Sequence, residues 1–203
     1  MDEEAFLAAV HASPADDTTR LVYADWLEER GDRRGEFLRA AVAARSATAG
    51  VDLPRQLRRL SELRPAVCPA WVRRAYLSLA EDDIREVVFR ELVGGGSAAR
   101  GTFLRVEERH DPSRYLFALV AGRCAGVRPA SAAELRQGSY YDKRSGQHGC
   151  MVSIDSLRWT AEGRCEVEGA CFIAPLMAHG NRYRVGVKDG WWAVVDVSMV
   201  WIS

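Results

Sequence analysis

The sequence predicts an α+β protein: a helical bundle over residues 1–80, then a domain of mixed helices and strands over residues 81–203. Three observations predict it. Up to Leu79, apolar residues recur at helical spacing in short runs separated by Pro, Gly or a capping acid. From Cys150 onward they alternate with polar residues at a period of two. The 203 residues, 48% hydrophobic and 28% charged, suffice for one or two cores. That composition excludes a disordered, collagen-like or disulfide-dense chain, and no apolar run approaches the ~20 residues of a membrane helix.

Phe6, Leu7 and Val10 mark a first helix from Glu3 to Val10. Ser13-Pro14 breaks it, because proline disfavours helix at the residue before it. Asp17 or Thr18 caps a second helix running to about Arg30, with Val22, Tyr23, Trp26 and Leu27 paired along it. Gly31 stops that helix and Asp32 caps a third, whose stripe is Phe37, Leu38, Ala41 and Val42. Leu53, Leu57 and Leu60 mark a fourth; Trp71, Val72, Ala75, Tyr76 and Leu79 mark a fifth, opened by Pro69. Short helices with short links imply antiparallel packing about one small core.

In the second domain, Ile84, Val87, Val88 and Leu92 place a helix at about Asp82 to Val93, ended by Gly94-Gly95-Gly96. Thr102 to Glu108 alternates as a strand. Asp111-Pro112 opens a helix carrying Tyr115, Leu116, Leu119 and Val120, with Pro112 at its first position. Gly126 to Pro129 forms a brief strand, and the polar Ala130 to Gly149 reads as a long loop. One strand follows on Cys150, Val152 and Ile154, continuing to Trp159 through a bulge. The next shows Cys165, Val167, Gly169 and Cys171 on one face, and a third shows Tyr183, Val185 and Val187. Lys188-Asp189-Gly190 is a hairpin turn, since Asp-Gly accepts positive φ. Trp191 to Ile202 is apolar on both faces, which predicts a strand that is central or wrapped by helix.

The run from Arg20 to Asp32, RLVYADWLEERGD, followed by Arg33-Arg34-Gly35-Glu36-Phe37-Leu38-Arg39, resembles the signature of the bacterial repeat-companion domain of planctomycetes and myxobacteria. The resemblance covers about Met1 to Ala47. It implies a helical module, often placed ahead of leucine-rich repeats, and no activity. No repeat of that kind follows here. Within the signature, Trp26 is expected to anchor the core. Asp25 is expected to be an ion-pair partner of Arg20, Arg33, Arg34 or Arg39. From its element order, the stretch from Glu81 to Ser203 is similar to the α+β roll of nuclear-transport-factor-like and cystatin-like folds, which implies a curved antiparallel sheet. It also resembles small bacterial domains in Val127 to Ser131 and the ending Trp201-Ile202-Ser203.

The net charge is zero, but its distribution is uneven. Met1 to Asp32 holds nine acids and two bases; Arg33 to Arg74 holds ten bases and three acids. These neighbouring stretches of −7 and +7 are expected to pair with each other as folded helices. The arginines Arg55, Arg58, Arg59, Arg73 and Arg74 are the candidate surface for a protein partner. A nucleic-acid footprint on the same residues is the weaker reading, because such a domain is usually basic overall.

Five cysteines, an odd number without a CxxC pair, point to reduced thiols, and the acidic Met1-Asp2-Glu3-Glu4 is unlike a secretory start; a cytoplasmic location is expected. A zinc site from His148, Cys150, Cys165 and Cys171 has none of the usual ligand spacings, so no metal or other cofactor is expected. P-loop, HExxH and GxSxG motifs are absent, and Gly94-Gly95-Gly96-Ser97 follows a helix instead of opening one. A pocket in the roll, with His148 or Asp155 as acid or base and Tyr140 or Tyr141 as donor, is the alternative to a non-catalytic role. Glu166 falls on the polar face of its strand, and Arg128 and Arg136 near the tyrosines are a possible anion or peptide contact. The expectation is a non-catalytic adaptor or accessory protein that binds a protein partner, or a second copy through its sheet. No membrane or nucleic-acid partner is expected.

Overall fold

The computed structural model describes residues 2–47, 52–94, 101–107, 110–160 and 163–203. The chain is an α+β protein that divides into two compact units. One comprises Met1–Asp82 with Asp189–Trp191; the other comprises Asp83–Lys188 with Trp192–Ser203.

The first unit is a helical bundle: α1 (Glu3–Ala12), α2 (Asp17–Glu28), α3 (Arg34–Ser46), α4 (Asp52–Leu63), α5 (Pro69–Ala75) and the start of α6 (Leu77–Gly94). Asp2 caps α1 by accepting the Ala5 N–H, and Asp16 caps α2 by accepting the Thr18 N–H, both at 2.9 Å. The α2 cap thus falls ahead of both expected positions, Asp17 and Thr18. Arg33, not the expected Asp32, stands at the cap of α3, and Asp32 accepts the Arg34 N–H at 2.9 Å from one residue further out. Gly35 lets α3 press against α2: a Cβ there would stand 2.6 Å from the Ala24 carbonyl oxygen.

Two sequence expectations shift in this unit. The fifth helix stops at Ala75, because Tyr76 leaves helical geometry at φ −153° and ψ 76°. Helix α6 then runs 18 residues from Leu77, joining Leu79 to Ile84, Val87 and Val88 in one continuous buried stripe. The core anchor is Tyr23, fully buried, instead of Trp26. Trp26 is half-buried and lies under the Arg30 guanidinium, 4.0 Å from the ring centre.

Among the described residues, the second unit carries the rest of α6, helix α7 (Arg114–Ala121), and eight strands: β1 (Thr102–Val106), β2 (Val127–Pro129), β3 (Ala133–Arg136), β4 (Ser139–Asp142), β5 (His148–Trp159), β6 (Cys165–Ala174), β7 (Met177–Lys188) and β8 (Trp191–Ile202). The main order is β2-β1-β5-β6-β7-β8, and β4 brings β3 to the side of β5. The sheet is mixed. Strands β5, β6 and β7 pair antiparallel as expected, but β1 pairs parallel with both β2 and β5. The β1-α7-β2 connection is a helical crossover, which joins parallel strands. Ser113 caps α7 by accepting the Leu116 N–H, so Pro112 stands before the helix and not at its first position.

The expected loop over 130–149 contains a hairpin, β3–β4, turned by Gln137 (φ 49°) and Gly138 (φ 77°). Asp189 (φ 52°) and Gly190 (φ 81°) make the expected turn between β7 and β8. The register of β5 against β6 shifts between Ile154 and Ser156, which leaves Asp155 as the bulged residue. Helix α6 covers the sheet closely; a Cβ on Gly169 would meet the Leu92 Cδ1 at 2.9 Å. Tyr115 of α7 donates to Asp83 of α6 at 2.9 Å. Gly95, Gly96, Ser97 and Glu108, named above as helix stop and strand end, lie outside the described residues.

Strand β8 departs most from expectation. It is neither central nor wrapped: it ends the strand order, and every residue from Val195 to Ser203 is exposed.

Candidate functional site

The signature residues of the bundle form a structural lock. Arg34 Nη1 reaches Glu3 at 2.8 Å, and Arg34 Nε reaches Asp32 at 2.8 Å. Tyr23 donates to Glu3 at 2.9 Å and accepts the Trp71 indole N–H at 3.0 Å, tying α1, α2, α3 and α5 together. Arg34 holds the carboxyls of Glu3 and Asp32 below the usual range. Burial pushes the Tyr23 hydroxyl up, and pushes that of Tyr76 up to about 12. Asp25 pairs with Arg39, which also holds Glu28 at 2.9 Å. Arg74 pairs with Glu4 at 2.5 Å. Acidic front helices and their arginine-rich successors therefore pair with each other.

That pairing divides the five candidate arginines. Arg59 is engaged by Glu36 and by Glu62 at 3.3 Å, and Arg74 by Glu4. Arg73 is half-buried on α5. Arg55 and Arg58 are exposed on α4 and enter no ion pair among the described residues.

The four candidate pocket residues part company. Tyr140 lines an open cavity of about 560 Å³ with Arg105, His110, Asp111, Ser131, Lys143 and Met151. Tyr141 and His148 instead stack edge to face at 5.3 Å, as register partners on β4 and β5. Successive residues of a strand face opposite ways, which separates Tyr141 from Tyr140. Asp155, in its bulge, lies 3.5 Å from Arg105. Lys143 donates to the Ser131 carbonyl at 2.7 Å, and Asp111 accepts the Ser131 N–H at 2.8 Å. Arg128 holds Asp142, whose carboxyl lies well below its usual range, and Arg136 pairs with Glu134. Reading the sequence missed Arg105, His110 and Lys143, because they come from three segments with no common spacing.

None of the five cysteines is in a disulfide: Cys150, Cys165 and Cys171 are buried in the sheet, while Cys68 is exposed. No group of three His, Cys, Asp or Glu residues converges as metal ligands among the described residues.

On β5 to β8 a row of alternating charge crosses the sheet. Arg158 reaches Glu166 at 2.6 Å, Glu166 stands in register with Arg184, and Arg184 Nε reaches Asp196 at 2.9 Å. Next to it, Arg182 holds Glu168 at 2.7 Å. Each charge is neutralised by a neighbour, and Arg158 and Arg184 hold Glu166 and Asp196 below the usual carboxylate range.

The uncompensated feature is apolar. Leu176, Met177, Val187, Val195, Val197, Met199, Val200, Trp201 and Ile202 are all exposed, Leu176 at 85% and Ile202 at 73%. Ala178 and Ser203 exchange both backbone hydrogen bonds, which sets Leu176 and Met177 beside the end of β8. Trp159 packs on the buried Trp192 at 5.6 Å, but Met199 and Trp201 do not fill an interior.

Compared with known proteins, the chain matches no family model, no curated protein and no solved structure. No helix among the described residues is long and apolar enough to cross a membrane.

Proposed function

We propose that the chain is a non-catalytic adaptor or accessory protein that acts by binding other proteins. The observation that carries this reading is the apolar edge formed by β8 and the neighbouring ends of β6 and β7. Val195, Val197, Met199 and Trp201 on one face of β8 and Val200 and Ile202 on the other leave both sides of this edge apolar and exposed, and an unpaired strand edge is a ready template for another chain. The bundle supplies a second, chemically different surface, the exposed Arg55 and Arg58 of α4, suited to an acidic partner. Its resemblance to the repeat-companion module, a domain placed beside other functional parts, supports the same reading.

The test is a photo-crosslinking amino acid placed at Arg55 or Met199 in the native host, with Arg144 as an exposed control. Adducts to another protein at Arg55 or Met199, and none at Arg144, support the adaptor. Adducts no more frequent than at Arg144 contradict it.

The cavity at Arg105, His110, Lys143 and Tyr140 favours a second reading, a site for a small anionic ligand. Its cations partly engage their own acids and carbonyls, Arg105 with Asp155 and Lys143 with Ser131. Isothermal titration with inorganic phosphate and with small carboxylates tests it; saturable heat lost in Arg105→Ala supports it, and no heat contradicts it.

A further inference from the structure

We propose that β8 pairs antiparallel with β8 of a second copy, about a two-fold axis at Val197, so that the working form is a dimer with one continuous sheet. The proposal rests on the adaptor reading: it names a second copy as what covers the apolar edge and leaves the exposed Arg55 and Arg58 to a different protein.

Backbone, side chains and charge each fit a second copy. Ser203 turns its N–H and C=O toward β7 through Ala178 (2.9 and 3.4 Å), so Ile202, Val200 and Ser198 turn theirs outward by strand alternation. A two-fold axis at Val197 makes these outward residues the hydrogen-bonded pairs: Ser198 faces Asp196 of the second copy, and Val200 faces its Val194. The same register sets Trp201 opposite Ala193, large against small, and gives the Asp196 carboxylate a hydroxyl donor.

Asp196 is the single charged residue of β8, and Arg184 neutralises it within the same chain. Two copies therefore meet without net repulsion, whereas an acidic or basic strand would find no opposite charge. From their exposed fractions, the six exposed apolar residues of β8 bare on the order of 600 Å², at the lower end of the ~600–1,000 Å² per partner of a specific interface.

Closure follows from the other edges. Among the described residues, β2 has three residues and ends in Pro129, and β3 has four and carries Glu134 and Arg136. Short, proline-bearing or charged edges resist further pairing. With one long apolar edge per chain, the isologous contact stops at two copies and does not grow into a fibre.

The test is sedimentation of the full chain from micromolar to millimolar concentration. The wild type is expected at twice its 22.5 kDa. Val197→Lys brings two lysines together at the axis and is expected to weaken association roughly a hundredfold. Val197 is exposed, so the variant keeps the wild-type circular dichroism, and its melting curve matches the wild type at concentrations low enough to leave both monomeric. Mixing Val197→Lys with Val197→Glu should restore the dimer, because the axis sets position 197 against itself. Val200→Pro, which removes an outward N–H, checks the edge without charge. A monomeric wild type, a Val197→Lys that remains dimeric, or a mixture that fails to pair would each overturn the proposal. A dimer whose crosslinks are only to itself would retain the pairing and remove the adaptor; a monomer crosslinked to a foreign protein at Met199 would do the reverse.

Discussion

The indole of Trp201 on β8 lies over the bare backbone of Gly180 on β7, where an added Cβ would stand 2.5 Å from the indole Cε2. The large apolar side chain near the end of the exposed strand is thus seated by the lack of a side chain on its neighbour. Trp201 keeps 45% of its surface in solvent, so the seat fixes the ring without hiding it.

Gly180→Ala should unseat that ring. Overpacking of this kind costs about 1–3 kcal/mol, and here part of it appears as a displaced strand end. The expected result is a lower melting temperature and weaker dimerisation than wild type. An unchanged melting curve with unchanged association would show that the contact does not order β8.

Tyr23→Phe removes the hydroxyl that joins Glu3 to Trp71. The buried Trp71 N–H is left without its acceptor, so a loss of about 1–3 kcal/mol is expected by denaturant unfolding. Trp26→Phe should cost less, because Trp26 is half-buried while Tyr23 is fully enclosed.

Acid should loosen the bundle through Glu3 and Asp32. Their folded pKa values lie below the unfolded ones, so their stabilising contribution is complete above the unfolded value, 4.5 for Glu3. It is lost as pH falls through the lower folded value. Glu3→Gln should be less stable at neutral pH and show a shallower loss of stability in acid. A variant with the wild-type acid limb would remove Glu3 as a source of that sensitivity.

Much of the helical unit was legible in the sequence, because apolar spacing is local. The caps were legible only to within a residue or two: Asp16 caps α2 in place of Asp17 or Thr18, and Arg33 stands at the cap of α3 in place of Asp32. The pairing of the −7 and +7 stretches was legible for the same reason, since adjoining helices meet. Tyr23 and Trp26 were harder to rank: both lie on the apolar side of α2, and only the arrival of Trp71 from α5 decides which is enclosed. The β3–β4 hairpin was hidden because Gln-Gly is a weak turn signal and Glu134 and Arg136 carry charge. Two apolar faces on β8 predict burial, though the same pattern also suits a strand awaiting a partner. The cavity residues Arg105, His110 and Lys143 meet only through the topology, which no local pattern shows.

Arg184 should matter more to association than to folding. Its ion pair with Asp196 is exposed, and exposed pairs contribute little to stability. Arg184→Ala should melt close to wild type, yet leave an uncompensated Asp196 on each copy at the contact. Dimerisation should weaken at low salt and recover as salt screens the two acids. Equal affinity at both ionic strengths would contradict the role given to this pair.

Amide hydrogen exchange along β8 tests the central claim most directly. If the edge is covered by a second copy, the amides of Ser198, Val200 and Ile202 will be protected in the wild type, increasingly so with concentration, and will exchange freely in Val197→Lys. Rapid exchange of those three amides in the wild type at every concentration would contradict the account.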